Sequence, residues 1–333
     1  MRKWRAMTTD SHVASATAPA PAPPASTGLR IAPLTLPAPQ FSPFTFPRYR
    51  GLLSGTELPE TVSERIAIGA WLGDSPVGLA FLSRPNGESR RRRLLSIMVS
   101  PLLRRQGMAT RLLREAESLA VADGAKALDA VHSSRMASSG AFEALLRRAG
   151  WSAPKEIEYR LAGKAGWSLK AKADWGDFVG RITGRGYQTT TWNELTDADH
   201  QVIGNIVQAC LPEPDRAFDP LKIPPDLPVI PELSLALRRH GEIVGWVLGS
   251  KGAIPDTVYY SHGYVLHKVR RAGWLVAGVR EVCERQCALM GPETISVFET
   301  AANNADMRRF MERQLKPYSL WTDSRYLSEK SLA

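Results

Sequence analysis

Cysteine is scarce: the 333 residues hold three, Cys210, Cys283 and Cys287. Three thiols cannot build a disulfide framework, which excludes the small stapled folds of secreted domains. Cys283 and Cys287 stand four apart in line with Val276 and Val279, so a helix puts them on one apolar stripe. Without a histidine partner nearby they read as core residues, and no metal is expected. No run of about 18 apolar residues exists, which leaves nothing to span a membrane as a helix. No Gly-Lys-Ser/Thr phosphate loop occurs, which argues against a nucleoside triphosphatase. Gly184-Arg185-Gly186 lacks the third glycine and the following helix of a dinucleotide fingerprint. Large apolar residues are almost missing from residues 1–29, an Ala/Pro-rich tail that cannot offset its ordering entropy and is expected to be disordered. The basic start of that tail has no apolar segment behind it, so a signal peptide is not expected and a cytoplasmic protein is.

What is present fits a globular protein, 44% hydrophobic and 23% charged. The length exceeds what one core usually holds, so two domains are expected. The formal charge is +10, from 43 basic and 33 acidic residues. Such an excess attracts nucleic acid, anionic lipid or an acidic cofactor. Arg90 to Arg93 form the densest basic run and read either as a solvated hairpin edge or as a group steering ligand phosphates. No aromatics interleave with them, so nucleic acid is disfavoured as a partner.

The most informative stretch is Arg104-Arg105-Gln106-Gly107-Met108-Ala109. It lies between an apolar run, Leu94 to Val99, and a helix-periodic stretch that begins with Thr110 and continues to about Ala120. Strand, basic glycine turn, then helix is a recipe for holding a pyrophosphate. The first helical turn leaves its N–H groups unpaired and carries the positive end of the dipole. Gly107 lets the backbone approach an anion closely, and Ala109 adds little bulk beside it.

This Arg-x-x-Gly-x-Ala pattern resembles the signature of the GCN5-related N-acetyltransferases (GNAT superfamily). The resemblance extends along the chain. Ile66 to Leu72 and Val77 to Leu82 flank Gly73-Asp74-Ser75-Pro76 as a β-hairpin. Ala127 to Val131 reads as a strand, and Ala141 to Arg148 as a helix ending at Gly150-Trp151. In that family the loop cradles the pyrophosphate of acetyl-CoA, and backbone amides of the preceding strand contact pantetheine and polarise the thioester carbonyl. The resemblance therefore implies acetyl-CoA as acyl donor and an amine as acceptor, with Arg104, Arg105, Gln106, Gly107, Met108, Ala109 and Thr110 at the pyrophosphate and Ile97, Met98 and Val99 along the pantetheine.

The chain also repeats itself. Val99, Arg104, Arg105 and Gly107 find counterparts at Val265, Arg270, Arg271 and Gly273, each 166 residues on. Gly78 corresponds to Gly245, 167 residues on. A period this long means duplicated domains. The expected fold is α/β (α+β): two tandem GNAT-like domains, each a mostly antiparallel mixed sheet flanked by helices. The expected division is residues 30–165, a linker 166–186, and residues 187–329. Thr196 and Asp199 resemble a capping box, opening a helix with Val202, Ile203, Ile206, Val207 and Cys210 on one face. Pro212 to Pro231 is proline-rich and reads as a stiff loop beside an acceptor cleft or a surface crossing.

The second loop is degenerate: Trp274 replaces Met108, and Leu275 stands where Ala109 stood. A leucine there crowds the approach to a pyrophosphate. The second copy does keep Asn304 before a helix, which resembles the family residue that touches the pantetheine arm. Acyl transfer needs a base for the amine and a donor for the oxyanion. His132 at the end of the first copy's strand can titrate near neutrality. Glu299 ends the matching strand of the second copy, and His262 and Tyr264 share one face of the strand before its loop. The tyrosine that the family often carries four residues before its Gly-aromatic pair is absent; Leu146 stands there, and Met311 near the second counterpart. The leading expectation is acetyl transfer from acetyl-CoA to a small-molecule or peptide amine. A catalytically silent CoA-binding sensor or scaffold and an aminoacyl-tRNA-dependent transferase are the alternatives.

Overall fold

Two hairpins organise the chain, one per copy. The computed structural model describes residues 28–56, 64–87, 90–174, 178–210, 219–223, 228–252 and 254–332. Most of the Ala/Pro-rich tail, part of the proline-rich stretch and the Cys210 side chain lie outside the described residues. In the first copy, β1 (Leu29–Pro33), β2 (Ile66–Leu72), β3 (Ser75–Leu82) and β4 (Arg91–Val99) run antiparallel. A parallel strand, β5 (Ala127–Ser133), follows. After β6 (Lys155–Lys164), the second copy repeats the plan with β7 (Tyr187–Thr191), β8 (Leu235–Arg239), β9 (Glu242–Lys251), β10 (Thr257–Val265) and β11 (Ile295–Ala301). The last strand is β12 (Ser319–Ser331).

All twelve form one sheet, ordered β1-β2-β3-β4-β5-β12-β6-β11-β10-β9-β8-β7. In sequence β6 closes the first copy, yet in the sheet it lies against β11, with Lys164 opposite Ile295 and Glu158 opposite Ala301. Conversely, β12 lies against β5, with Tyr326 opposite His132. The copies therefore exchange their last strands, and β6 and β12 pair with each other at the centre.

The repeated hairpin glycines have a steric cause. Gly78 faces Val99 and Gly245 faces Val265. A Cβ on Gly78 would come within 3.0 Å of the Met98 carbonyl oxygen, and one on Gly245 would overlap the Tyr264 carbonyl oxygen. The next strand passes too close for any side chain.

Eight helices are described: α1 (Arg50–Ser54), α2 (Met108–Ala122), α3 (Ser139–Arg148), α4 (Trp167–Asp174), α5 (Phe178–Thr183), α6 (Asp197–Cys210), α7 (Trp274–Met290) and α8 (Ala305–Phe310). One face of the first half packs Leu112, Leu113, Ala116 and Ala120 of α2 against Ile68, Leu94 and Leu128. The other face packs Leu52, Leu53 and Phe41 against Leu79 and Phe81. The second half repeats both layers, with α7 on Val247 and Tyr260 and α6 on Trp246 and Tyr264. The α6 cap is reciprocal: Asp199 N–H donates to Thr196 Oγ1 at 3.2 Å, and Thr196 N–H to Asp199 Oδ2 at 3.1 Å. Val202 departs from the expected apolar face. It is 43% exposed while Ile203 and Val207 are buried, because the sheet covers a narrower stripe than the sequence pattern allows. The stretch 166–186, expected as a linker, holds α4 and α5.

The arginine run is bound to protein rather than held out for a ligand. Arg90 donates to the Asp123 carbonyl at 2.7 Å, Arg91 pairs with Glu329, and Arg93 Nε bonds Asp129 Oδ1 at 2.6 Å. Arg92 is buried, paired with Asp123 and donating to the carbonyls of Glu64 and Ser83. These residues sit at the start of β4, and the glycine loop follows its end. Nine strand residues, or about 30 Å, separate the two.

Candidate active site

β4 and β5 pair only over Arg91–Leu94 and Ala127–Ala130. Beyond Leu94 they diverge: β5 keeps its pairing with β12, and β4 keeps its pairing with β3. Ile97, Met98 and Val99 therefore lie on a strand with one edge toward β3 and the other facing an opening. The opening ends at the glycine loop. Arg105 and Gly107 both have positive φ, +63° and +77°, and Gly107 is the N-cap of α2.

The loop is accessible. Arg104, Arg105 and Gln106 are exposed, and a Cβ on Gly107 would meet nothing within 4 Å. Arg104 Nε reaches back to the Val99 carbonyl at 3.4 Å. Met108 turns into the core while Ala109 and Thr110 are half-buried at the first helical turn. No side chain caps α2, so the N–H groups of its first turn are left for an outside acceptor. The residues present thus fit a pyrophosphate.

The second copy repeats this geometry and then closes it. β10 and β11 pair over Thr257–Tyr260 and Ile295–Phe298 and then diverge. Gly273 caps α7 at φ +83°. Here, however, a Cβ on Gly273 would overlap the ring of Phe178, with Ile182 3.1 Å away, both from α5. Leu275 lines the cleft behind the loop. The Phe178 ring thus lies against the second loop at the point where the first loop is open.

The base candidates fall in separate places. His132, with its side chain 1% exposed, lies between Phe142 and Tyr326, at ring centroid distances of 5.4 and 5.6 Å. Its Nε2 is 2.9 Å from Glu143 Oε1, and its Nδ1 is buried with no hydrogen-bond partner. Glu299 and Asn304 both line the second cleft, and Asn304 Oδ1 accepts from Met307 N–H at 3.2 Å. Burial, followed by the charge of Glu158, raises the Glu299 carboxyl to about 7. Tyr264 is buried against Trp246 in the α6 layer. His262 is buried in the same strand, and burial holds its imidazole below the ordinary value. Neither His262 nor Tyr264 lines the second cleft. Leu146 and Met311 are both core residues.

Three features had no local signature in the sequence. Phe178 covers a loop almost 100 positions away, Glu143 engages His132, and Thr300 Oγ1 is buried in the second cleft without a partner. At the seam, Asp323 accepts from Ser133 Oγ at 2.7 Å and Ser134 Oγ at 2.9 Å and pairs with Arg160. Burial alone would raise the Asp323 carboxyl, but these bonds outweigh it and hold it below the ordinary value. Among the described residues no group of three or more His, Cys, Asp or Glu is placed to hold a metal, and no helix is long and apolar enough to cross a membrane.

A sheet opened at a parallel pair, with a bare helix N-terminus at the mouth, gives an anion a place to bind. Residues 38–146 match the model of the acetyltransferase (GNAT) family. The structure is similar to a tandem GNAT protein from the clavulanic acid biosynthesis pathway, at 14% identity and a TM-score of 0.57, covering 92% of this chain and 99% of that one. It is also similar to a GCN5-related N-acetyltransferase from Sphaerobacter thermophilus, at 16% identity and a TM-score of 0.59, covering 91% and 96%. No curated protein matches the sequence. At these identities the structural likeness concerns the fold.

Proposed function

We propose that the protein moves an acetyl group from acetyl-CoA directly to a primary amine, and that the donor binds in the first copy. The observation that carries this reading is the contrast between the two glycines: Gly107 stands open at a bare helix N-terminus, and Gly273 lies under Phe178. The loop Arg104–Ala109 holds the pyrophosphate through backbone N–H groups. The open edge of β4 at Ile97, Met98 and Val99 aligns the pantetheine. His132, held 2.9 Å from Glu143 Oε1, is the base candidate of the first copy. The test is CoA release with acetyl-CoA and a panel of primary amines. His132→Gln is expected to lower kcat at least tenfold with little change in KM for acetyl-CoA.

A second reading is favoured by Leu146 and Met311, which put buried aliphatics where a phenolic acid would serve the leaving thiolate. On that reading the protein binds acyl-CoA as a sensor. Binding of acetyl-CoA with no CoA release from any amine supports it.

A further inference from the structure

β12 grips the end of β5 from both faces of the sheet. On one face Tyr326 stacks on His132, which α3 covers with Phe142 and Glu143. Ser133, the next residue of β5, points to the opposite face. There Asp323 Oδ1 accepts from Ser133 Oγ at 2.7 Å and from Ser134 Oγ at 2.9 Å. The Asp323 side chain is buried, and its other oxygen pairs with Arg160 of β6. The backbone is tied at the same place: Ser134 N–H donates to the Ser324 carbonyl at 2.8 Å, and Ser324 N–H to Ser134 Oγ at 3.0 Å. The Arg135 guanidinium then lies over the Trp321 ring, 4.4 Å from its centroid. The turn held in this way runs directly into α3 at Ser139.

The second copy lacks this side-chain clamp. His132 stands opposite Tyr326, and its equivalent Thr300 stands opposite Tyr159. After Thr300 come Ala301 and Ala302, which carry no hydroxyl. The backbone tie is nevertheless kept, since Ala302 N–H donates to the Ile157 carbonyl at 2.9 Å. Glu156, 167 positions before Asp323, pairs instead with Arg308 of α8 at 2.8 Å. Strand exchange therefore needs only the backbone tie, and the clamp occurs in the copy that carries the histidine.

We propose that Asp323 is a positioning residue for the first copy's site: from the far face of the sheet it fixes the β5–α3 turn, and with it the placement of Phe142 and Glu143 against His132. Asp323 does not touch His132 and acts through the backbone of β5 and the turn. The proposal rests on the reading of His132 as the base of the first copy.

The test uses the full chain with Asp323→Ala and with the double substitution Ser133→Ala and Ser134→Ala. The double variant releases the turn and keeps the buried Asp323–Arg160 pair, so it remains informative if Asp323→Ala misfolds. With an amine that the parent acetylates, each variant is expected to lower kcat about tenfold with little change in KM for acetyl-CoA. The imidazole ¹⁵N resonances of His132, assigned by their loss in His132→Gln, are expected to move in both variants. If the parent releases no CoA with any amine, the transfer reading fails, and the imidazole spectrum alone decides the role of Asp323. Unmoved His132 resonances in the double variant, or an unchanged kcat in it, would each overturn the proposal.

Discussion

Tyr326, from the last strand of the chain, stacks on His132 in the first copy, with ring centroids 5.6 Å apart and planes 28° from parallel. The contact exists because β12 crosses to β5 while β6 crosses to β11. Each half of the sheet is completed by the other half's final strand, so a proposed catalytic residue of the first copy is packed by residues nearly 200 positions later.

The exchange makes the two copies one folding unit. A chain ending after Tyr318 lacks β12 and leaves edges of β5 and β6 unpaired. It is expected to lose the single cooperative unfolding transition of the full chain in a circular-dichroism melt and to aggregate on size-exclusion chromatography. A native-like melt from the truncated chain would show that the exchanged strand is dispensable.

The hairpin glycines give a graded prediction. Gly245→Ala forces an overlap with the Tyr264 backbone, which cannot swing away, whereas Gly78→Ala meets the Met98 carbonyl at 3.0 Å. Overpacking of this kind costs about 1–3 kcal/mol. Urea denaturation is expected to place Gly245→Ala at or beyond the upper end of that range and Gly78→Ala near the lower. The reverse order would mean that the β9–β10 approach is softer than its geometry implies.

Glu299 sets a pH dependence of stability. Its carboxyl is raised to about 7 in the fold, by burial and then by Glu158, with Arg160 and Arg325 opposing. A raised acid contributes stability that is fully present below the ordinary carboxylate value and is lost as pH climbs through the folded value. The loss therefore falls between about pH 4.5 and 7 and amounts to at most about 3 kcal/mol. Glu299→Gln keeps the shape and removes the proton, so its stability relative to the parent is expected to rise across that window. Parallel pH profiles for the two proteins would contradict the assignment.

Much of the plan was legible because it is written locally. The Gly73-Asp74 turn, the Thr196–Asp199 cap, and Gly107 and Gly273 before their helices all appear where turn and cap chemistry puts them. What was hidden is long-range. Nothing near Lys155–Lys164 says that this strand joins β11, because strand patterning fixes which face is buried but leaves the neighbour open. Phe178 reads as one more apolar residue until α5 lays it on Gly273. His132 and Glu299 carry no local sign of Glu143 or Glu158, the partners that give them their character. Arg90 to Arg93 looked available for a ligand only because Asp123, Asp129 and Glu329 are far away in sequence.

The central claim is that one of two similar loops binds the donor. Arg104 and Arg270 are matched exposed arginines, one in each loop, which allows a symmetric test. Calorimetry of acetyl-CoA with the full chain is expected to give one site per chain, weakened about tenfold or more by Arg104→Glu and unaffected by Arg270→Glu; a tenfold loss corresponds to about 1.4 kcal/mol. Two sites per chain, or a loss of affinity with Arg270→Glu and none with Arg104→Glu, would contradict it.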